Sequence, residues 1–277
     1  MIRFTFLSEN KTDNPGCDAE HGLSIFIETE EKKILFDTGA SSLFARNAYR
    51  CHVDLTQADA CVISHGHYDH TEGVPEFCRI NDHSSVYIHQ DAFGEVYGTE
   101  NGKIDKNPCS LWWDDTVRKA LQPRLVLTDG PLWLSKNVVI SGTIPDMEGE
   151  EMPEIFYEKR PDGTFIQDPM NHEQFLAVRN GDQGIFLFSG CSHKGIIPAI
   201  AYAKALFPGE KLVGVVAGMH LYGVNDRVRQ RIVDKVAAEN LDIVMPVHCT
   251  GIEAICMLKT ALGERCIVAT AGDTYAY

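Results

Sequence analysis

Ser64-His65-Gly66-His67-Tyr68-Asp69-His70 is the stretch on which the reading of this chain turns. His65, His67, Asp69 and His70 fall within six consecutive positions. One tetrahedral ion cannot comfortably take all four. They divide naturally between two ions, His65 and His67 on one, Asp69 and His70 on its neighbour. Imidazole and carboxylate donors suit zinc, and also iron or manganese. The apolar run Ala60-Cys61-Val62-Ile63 leads straight into the cluster. That is the pattern of a buried strand delivering a loop at its C-terminal end, where α/β proteins usually place their sites. A merely exposed histidine-rich loop has no reason to follow such a strand.

A binuclear site needs further ligands, and the ends of later strands are the places to seek them. Phe186-Leu187-Phe188-Ser189-Gly190 reads as a strand that ends in Cys191 and His193. Residues two apart in an extended segment face the same side, so both could enter the site. An imidazole has little reason to sit at an apolar strand end unless it is used there. Val244-Met245-Pro246-Val247 is a second such strand and ends in His248. Cys249 beside it would point the other way and reads as structural. His220 follows the apolar run Lys211 to Ala217 and a glycine. His52, His83 and His89 have no partner pattern and read as structural or surface residues.

The pattern His-x-His-x-Asp-His resembles the metallo-β-lactamase superfamily, and the likeness continues along the chain. Glu20-His21-Gly22-Leu23-Ser24, Leu35-Phe36-Asp37-Thr38-Gly39, Gly190-Cys191-Ser192-His193 and His248-Cys249-Thr250-Gly251 resemble one branch of it, named after a dihydropterin-ribofuranosylaminobenzene-phosphate synthase of methanopterin formation. The resemblance implies a four-layer αββα sandwich, where the sequence alone says only α/β or α+β. It implies two divalent metal ions, zinc in the first place, with iron or manganese as alternatives. His248 matches the last superfamily histidine, a ligand of the second ion. Cys191 stands where many relatives carry a bridging aspartate and the β-lactamases a cysteine. Asp37 matches an aspartate that braces the ligand loop by hydrogen bonds. The third histidine of the first ion is either His193 or His172. His193 is preferred, because Asn171-His172-Glu173 departs from the branch pattern. A Gly-x-His near His220 recurs in the branch, which suggests substrate binding or acid–base work there; His21 follows the same logic as a substrate-binding residue.

Chemistry follows from the ions. Two cations acidify a water and polarise a carbonyl or phosphoryl group. Asp69 could both ligate and orient that water. Metal-dependent hydrolysis of a small metabolite, a phosphoester or a lactone, is the leading expectation. The alternative is synthase-type transfer with release of pyrophosphate. Iron redox members exchange a motif histidine for glutamate, but His67 is retained. From another class, the chain could be a metal-binding sensor without turnover.

The 277 residues suit one domain, residues 1–277, with an insertion around 90–170. Hydrophobic content of 44% and charged content of 23% are those of a globular protein. A net charge of −14 argues against nucleic acid as a partner. No stretch is long and apolar enough for a membrane span. The first residues lack the apolar core of a signal peptide, and nine cysteines without regular spacing fit a reducing cytoplasm. The expected partner is a small-molecule substrate, and a homo-oligomer is compatible with the chain.

Strands are expected at 23–28, 33–36, 58–64, 85–89, 125–128, 138–141, 175–178, 184–189, 211–217 and 243–247. Asn180-Gly181-Asp182 marks a hairpin. Val228, Ile232, Val233, Val236 and Ala237 recur at helical spacing behind an Asn225 or Asp226 cap, and 251–262 is a second helix. Trp112 and Trp113 in the 92–123 region read as core, and 142–168 as loop.

Overall fold

The computed structural model describes residues 1–100, 102–150 and 156–277; of the expected 142–168 loop, 151–155 lie outside the described residues. Two large sheets dominate. The first has seven strands in the order Thr274–Ala276, Arg3–Ser8, Ser24–Glu28, Lys33–Phe36, Ala60–Val62, Ser85–His89, Leu125–Thr128. The second has six, in the order Leu132–Ser135, Val138–Ile140, Leu176–Arg179, Ile185–Ser189, Leu212–Ala217, Ile243–Pro246.

Alternation along the strands builds four layers. Phe4, Phe6, Ile25, Ile27, Ile34 and Phe36 pack in one cluster with Val138, Ile140, Leu176, Val178, Phe186 and Phe188 of the other sheet. The intervening Leu7, Phe26 and Leu35 face the opposite way, onto Phe44, Ala48, Val74 and Phe77 of the helices Leu43–Arg50 and Val74–Ile80. Likewise Ile185 and Leu187 turn outward onto the helices Ile196–Leu206, Asp226–Ala238 and Ile252–Leu262. A period of two with both faces apolar is what two stacked sheets, each covered by helices, require. This is the αββα arrangement.

The strands that matter run parallel. Lys33–Phe36, Ala60–Val62 and Ser85–His89 pair in parallel in one sheet, and Ile185–Ser189, Leu212–Ala217 and Ile243–Pro246 in the other. Their C-terminal ends therefore lie at one edge of the sandwich.

The region 90–170 does not form one block. Leu125–Thr128, Leu132–Ser135 and Val138–Ile140 are strands of the main sheets. The expected loop after 142 contains Tyr157–Lys159 and Phe165–Gln167, which pair with each other and with Val96–Tyr97 in a small third sheet. The twin tryptophans divide. Trp113 is buried in the helix-side cluster, whereas Trp112 is 56% exposed. The core expectation is thus corrected for Trp112, whose ring stacks on Tyr68 at 4.4 Å and a 4° interplanar angle. Adjacent residues in extended chain face opposite ways, so only one of the pair could reach the core.

A candidate metal centre at the strand ends

His65, His67, Asp69, His70, Cys191, His193 and His248 are all buried at this edge. Their ligand atoms form overlapping groups, each within 4.8 Å: His65, His67 and His193; His65, His70 and Cys191; His21, Asp69 and His248. A further group, Cys191, His248 and Cys249, includes a residue that sequence reasoning assigned to structure. The backbone explains the difference. His248–Thr250 is a single 3₁₀ turn and His248 has φ 48°, so strand alternation no longer applies and Cys249 turns inward.

Hydrogen bonds set which nitrogen of each imidazole keeps its lone pair. Asp37 is fully buried; its Oδ1 accepts from the Ser64 N–H at 2.7 Å and its Oδ2 from the Ser64 hydroxyl at 2.8 Å. His70 Nδ1 lies 2.7 Å from the same Oδ2 and donates to it. With its proton given to Asp37, the Ser64 hydroxyl can only accept from His65 Nδ1, 2.9 Å away. His248 Nδ1 donates to Asn10 Oδ1 at 2.8 Å, an oxygen that also accepts from the Gly22 N–H. In all three rings Nε2 is left as the acceptor facing the centre. Such outer contacts fix the tautomer and aim of metal-binding histidines.

Two of the inward atoms, His67 Nε2 and His248 Nε2, are buried without a hydrogen bond among the described residues. His65 Nε2 and His193 Nε2 stand 3.2 Å apart, two ring nitrogens converging on one point. His248 Nε2 is 3.2 Å from Asp69 Oδ2 but not aligned for hydrogen bonding. Buried polar atoms left this way cost about 1–3 kcal/mol each. A cation between them would remove that cost, so the donor set fits bound divalent metal.

His172 does not join the group. Its Nδ1 accepts from the Gly66 N–H at 3.1 Å, and its Nε2 faces Asp168 Oδ2 at 3.3 Å. Both nitrogens are occupied in holding the ligand loop, whereas His193 reaches the centre. Glu173, next in sequence, accepts from the N–H groups of His193 and Lys194 at 2.7 and 2.8 Å and so positions His193.

Electrostatics favour the metal-binding form at His65, His67, His193 and Asp69, and oppose it at His70 and Cys191. Burial, then the neighbouring imidazoles, keeps His65 and His193 neutral far below the usual histidine range and brings His67 down to about 3. Burial opposes charge on His70 too, but Asp37 and Asp69 outweigh it and raise its pKa to about 9. Asp69 is itself buried, yet His70, His21 and His248 hold it ionised well below the usual range. Burial raises the Cys191 thiol.

His21 Nε2 sits 3.1 Å from Asp69 Oδ2, at the mouth of the centre. His220 lies beside His193 with ring centroids 4.4 Å apart and faces Phe156. Both line a cavity of 610 Å³ with Asn10, Lys11, Tyr68, Phe156, Tyr222 and Ile252. Asp37, Ser192, His220 and His248 all have positive φ (57°, 54°, 44° and 48°). Left-handed backbone is uncommon outside glycine and gathers at functional sites. Here it marks four turns around one centre. Sequence reasoning missed Glu9 and Asn10, which bind His248 through its N–H (2.6 Å) and Nδ1, and also Ser64 and Glu173. Gly190 has a legible reason: a Cβ there would strike the Ser64 hydroxyl.

Comparison with known proteins agrees with this geometry. Residues 17–130 match the sequence model of a family described as the metallo-beta-lactamase superfamily. An uncharacterised protein of Methanocaldococcus jannaschii is 34% identical over 245 residues, 87% of this chain and 88% of its own. The 7,8-dihydropterin-6-methyl-4-(β-D-ribofuranosyl)-aminobenzene-5′-phosphate synthase of the same organism is 30% identical over 250 residues, 85% of this chain and 83% of its own. A crystal structure described as a metal-dependent hydrolase of the β-lactamase superfamily superposes with a TM-score of 0.83 at 25% identity, covering 100% of this chain and 99% of that one.

Proposed function

Since the chain belongs to the metallo-β-lactamase superfamily, we propose that it is a metal-dependent hydrolase of a small metabolite, a phosphoester or a lactone, with two divalent ions, zinc by preference. The observation that carries this reading is the convergence of unpartnered, buried ligand atoms from both sheets on one edge. His65, His67 and His193 would hold the first ion; Asp69, His70 and His248 the second, with Cys191 between them. Ions bound there supply Lewis acidity and charge stabilisation.

The chain's own residues do the rest. Asp69 Oδ2 presents a carboxylate toward the cavity and can orient a water. His220, on the cavity wall, can carry a proton to or from the substrate. Phe156, Tyr222, Ile252 and Ile255 offer an apolar wall that excludes solvent and would seat an uncharged or planar portion. Among the described residues Lys11 is the one Lys or Arg in the cavity lining, and it is already paired with Glu9 at 2.8 Å. A negative substrate group would therefore be met mainly by the ions.

Elemental analysis after reconstitution is expected to give two ions per chain. Turnover of at least one member of a panel of phosphomonoesters, phosphodiesters, lactones and thioesters should appear and be lost on chelation. A saturating stoichiometry of one would overturn the binuclear reading. Metal binding without any turnover would favour the sensor. A second reading, group transfer, is supported by the 30% identical relative named as a synthase. Release of pyrophosphate from a pterin substrate would favour it over hydrolysis.

His220→Ala separates chemistry from scaffolding. The variant is expected to keep normal metal content and melting temperature while turnover falls roughly a hundredfold, the usual worth of a general acid or base. Loss of metal along with activity would place His220 among the ligands instead.

A further inference from the structure

Cys249 is the one member of the cluster for which superfamily likeness supplies no role. Its sulfur, that of Cys191 and a ring nitrogen of His248 lie within 4.8 Å of one another, all buried. Neither thiol belongs to a hydrophobic cluster of the core; both line the cavity instead. The Cys249 sulfur lies 3.7 Å from the Cys191 carbonyl oxygen and also faces the Cys191 thiol and the His220 backbone. The local chain is shaped to admit it. A Cβ on Gly218 would lie 2.7 Å from the Cys249 sulfur. The left-handed His248 and the 3₁₀ turn aim the side chain inward. On the other side of His248 Nε2 stands Asp69 Oδ2, at 3.2 Å.

We propose that Cys249 is a further ligand of the second ion, where it would join Asp69, His70 and His248, with Cys191 between the two positions. The inference rests on the metal reading above and adds to it the donor that the motif does not provide. Binding is balanced by proton release: a divalent ion and two thiols give a dithiolate complex and two protons. Two thiolates make the position soft. It should select zinc, cobalt or cadmium over manganese or magnesium, which prefer oxygen.

Cobalt(II) substitution reads this directly, without activity. The parent should bind two cobalt ions and show a sulfur-to-cobalt charge-transfer band in the near ultraviolet. Cys249→Ser should keep cobalt binding but lose roughly half of the band, and Cys191→Ser with Cys249→Ser should lose it entirely. An unchanged band in Cys249→Ser, with two cobalt ions bound, overturns the inference and leaves the metal reading intact. Failure of the parent to bind cobalt overturns the metal reading itself. Should the serine variants not fold, cadmium-113 resonance of the parent decides. One of two signals at the low field of a two-sulfur site supports the inference, and both at the field of no more than one sulfur per ion overturn it.

Discussion

His67→Ala is expected to purify as a folded protein that has lost the first ion and at least about a thousandfold of the parent's turnover, since removing a ligand costs more than the 10–100-fold of removing an outer-shell partner. The fold should survive for a local reason. What His67 gives the chain is its backbone: its carbonyl accepts from the Thr71 hydroxyl at 3.0 Å and from the His70 N–H at 3.2 Å. Alanine keeps both. The imidazole itself gives the metal-free protein little, because its Nε2 is buried without a hydrogen bond and its charge is suppressed to about pKa 3, first by burial. Removing it relieves an unsatisfied polar atom and opens a small cavity, two effects of about 1–3 kcal/mol and opposite sign. Melting of the metal-free parent and variant should therefore agree within a few degrees, about 2–4 °C per kcal/mol for a chain of this size. The difference should appear on adding zinc: ligand binding to the native state raises the parent's melting temperature, and the variant's far less. Elemental analysis beside the two melting curves checks both halves. A variant with the parent's metal content and zinc-dependent stabilisation would remove His67 from the ligand set.

Why was so much of this legible in the sequence? The strands at 33–36 and 185–189 announce themselves because both faces are buried and their apolar runs end sharply, in Asp37 and in Ser189-Gly190. Helix Asp226–Ala238 shows its cap openly, the Asn225 side chain accepting from the Val228 N–H. The ligand loop is local, seven residues at one strand end, so spacing alone exposes it. What stayed hidden depends on turns and on distance along the chain. Strand Arg3–Ser8 pairs between Thr274–Ala276 and Ser24–Glu28, second from the edge of its sheet, and its importance comes from that pairing. Asn10 and Glu9 act on His248, more than two hundred residues away, through bonds no periodicity can reveal. Alternation carried one residue past the end of its strand turns Cys249 away from the site, whereas the 3₁₀ turn brings it to the cavity. Between His172 and His193, which both flank strands, sequence offers only a preference for His193; hydrogen bonds at both ring nitrogens of His172 separate them.

Asp37→Asn should disarm both metal positions while leaving the fold standing. The Asp37 carboxylate accepts three hydrogen bonds, from the Ser64 N–H, the Ser64 hydroxyl and His70 Nδ1, at 2.7, 2.8 and 2.7 Å. Asparagine fits the same space but has one acceptor oxygen and one donor group. With the oxygen kept on the Ser64 N–H, the amide NH₂ faces the Ser64 hydroxyl and His70 Nδ1. His70 must then accept at Nδ1 and carry its proton on Nε2, which points at the Cys191 sulfur 3.2 Å away. Ser64, now an acceptor from the amide, sends its own proton to His65 Nδ1, and His65 also becomes protonated on Nε2. One atom exchanged for another thus blocks two ligand nitrogens. Metal affinity is expected to fall by roughly a hundredfold or more, since each such outer contact is worth 10–100-fold. Because every hydrogen bond is still made, the one from the Ser64 N–H unchanged and the others with their direction reversed, the metal-free melting temperature should drop by no more than a few degrees. Asp37→Ala, by contrast, leaves three buried donors unpaired, at about 1–3 kcal/mol each, and should lose stability outright. Long-range nitrogen–proton spectra of the histidine rings in the metal-free protein would display the tautomers. If His70 in Asp37→Asn keeps its proton on Nδ1, or zinc binds with the parent's affinity, then Asp37 braces the loop without governing the ligands, and the link from strand Lys33–Phe36 to the metal chemistry is broken.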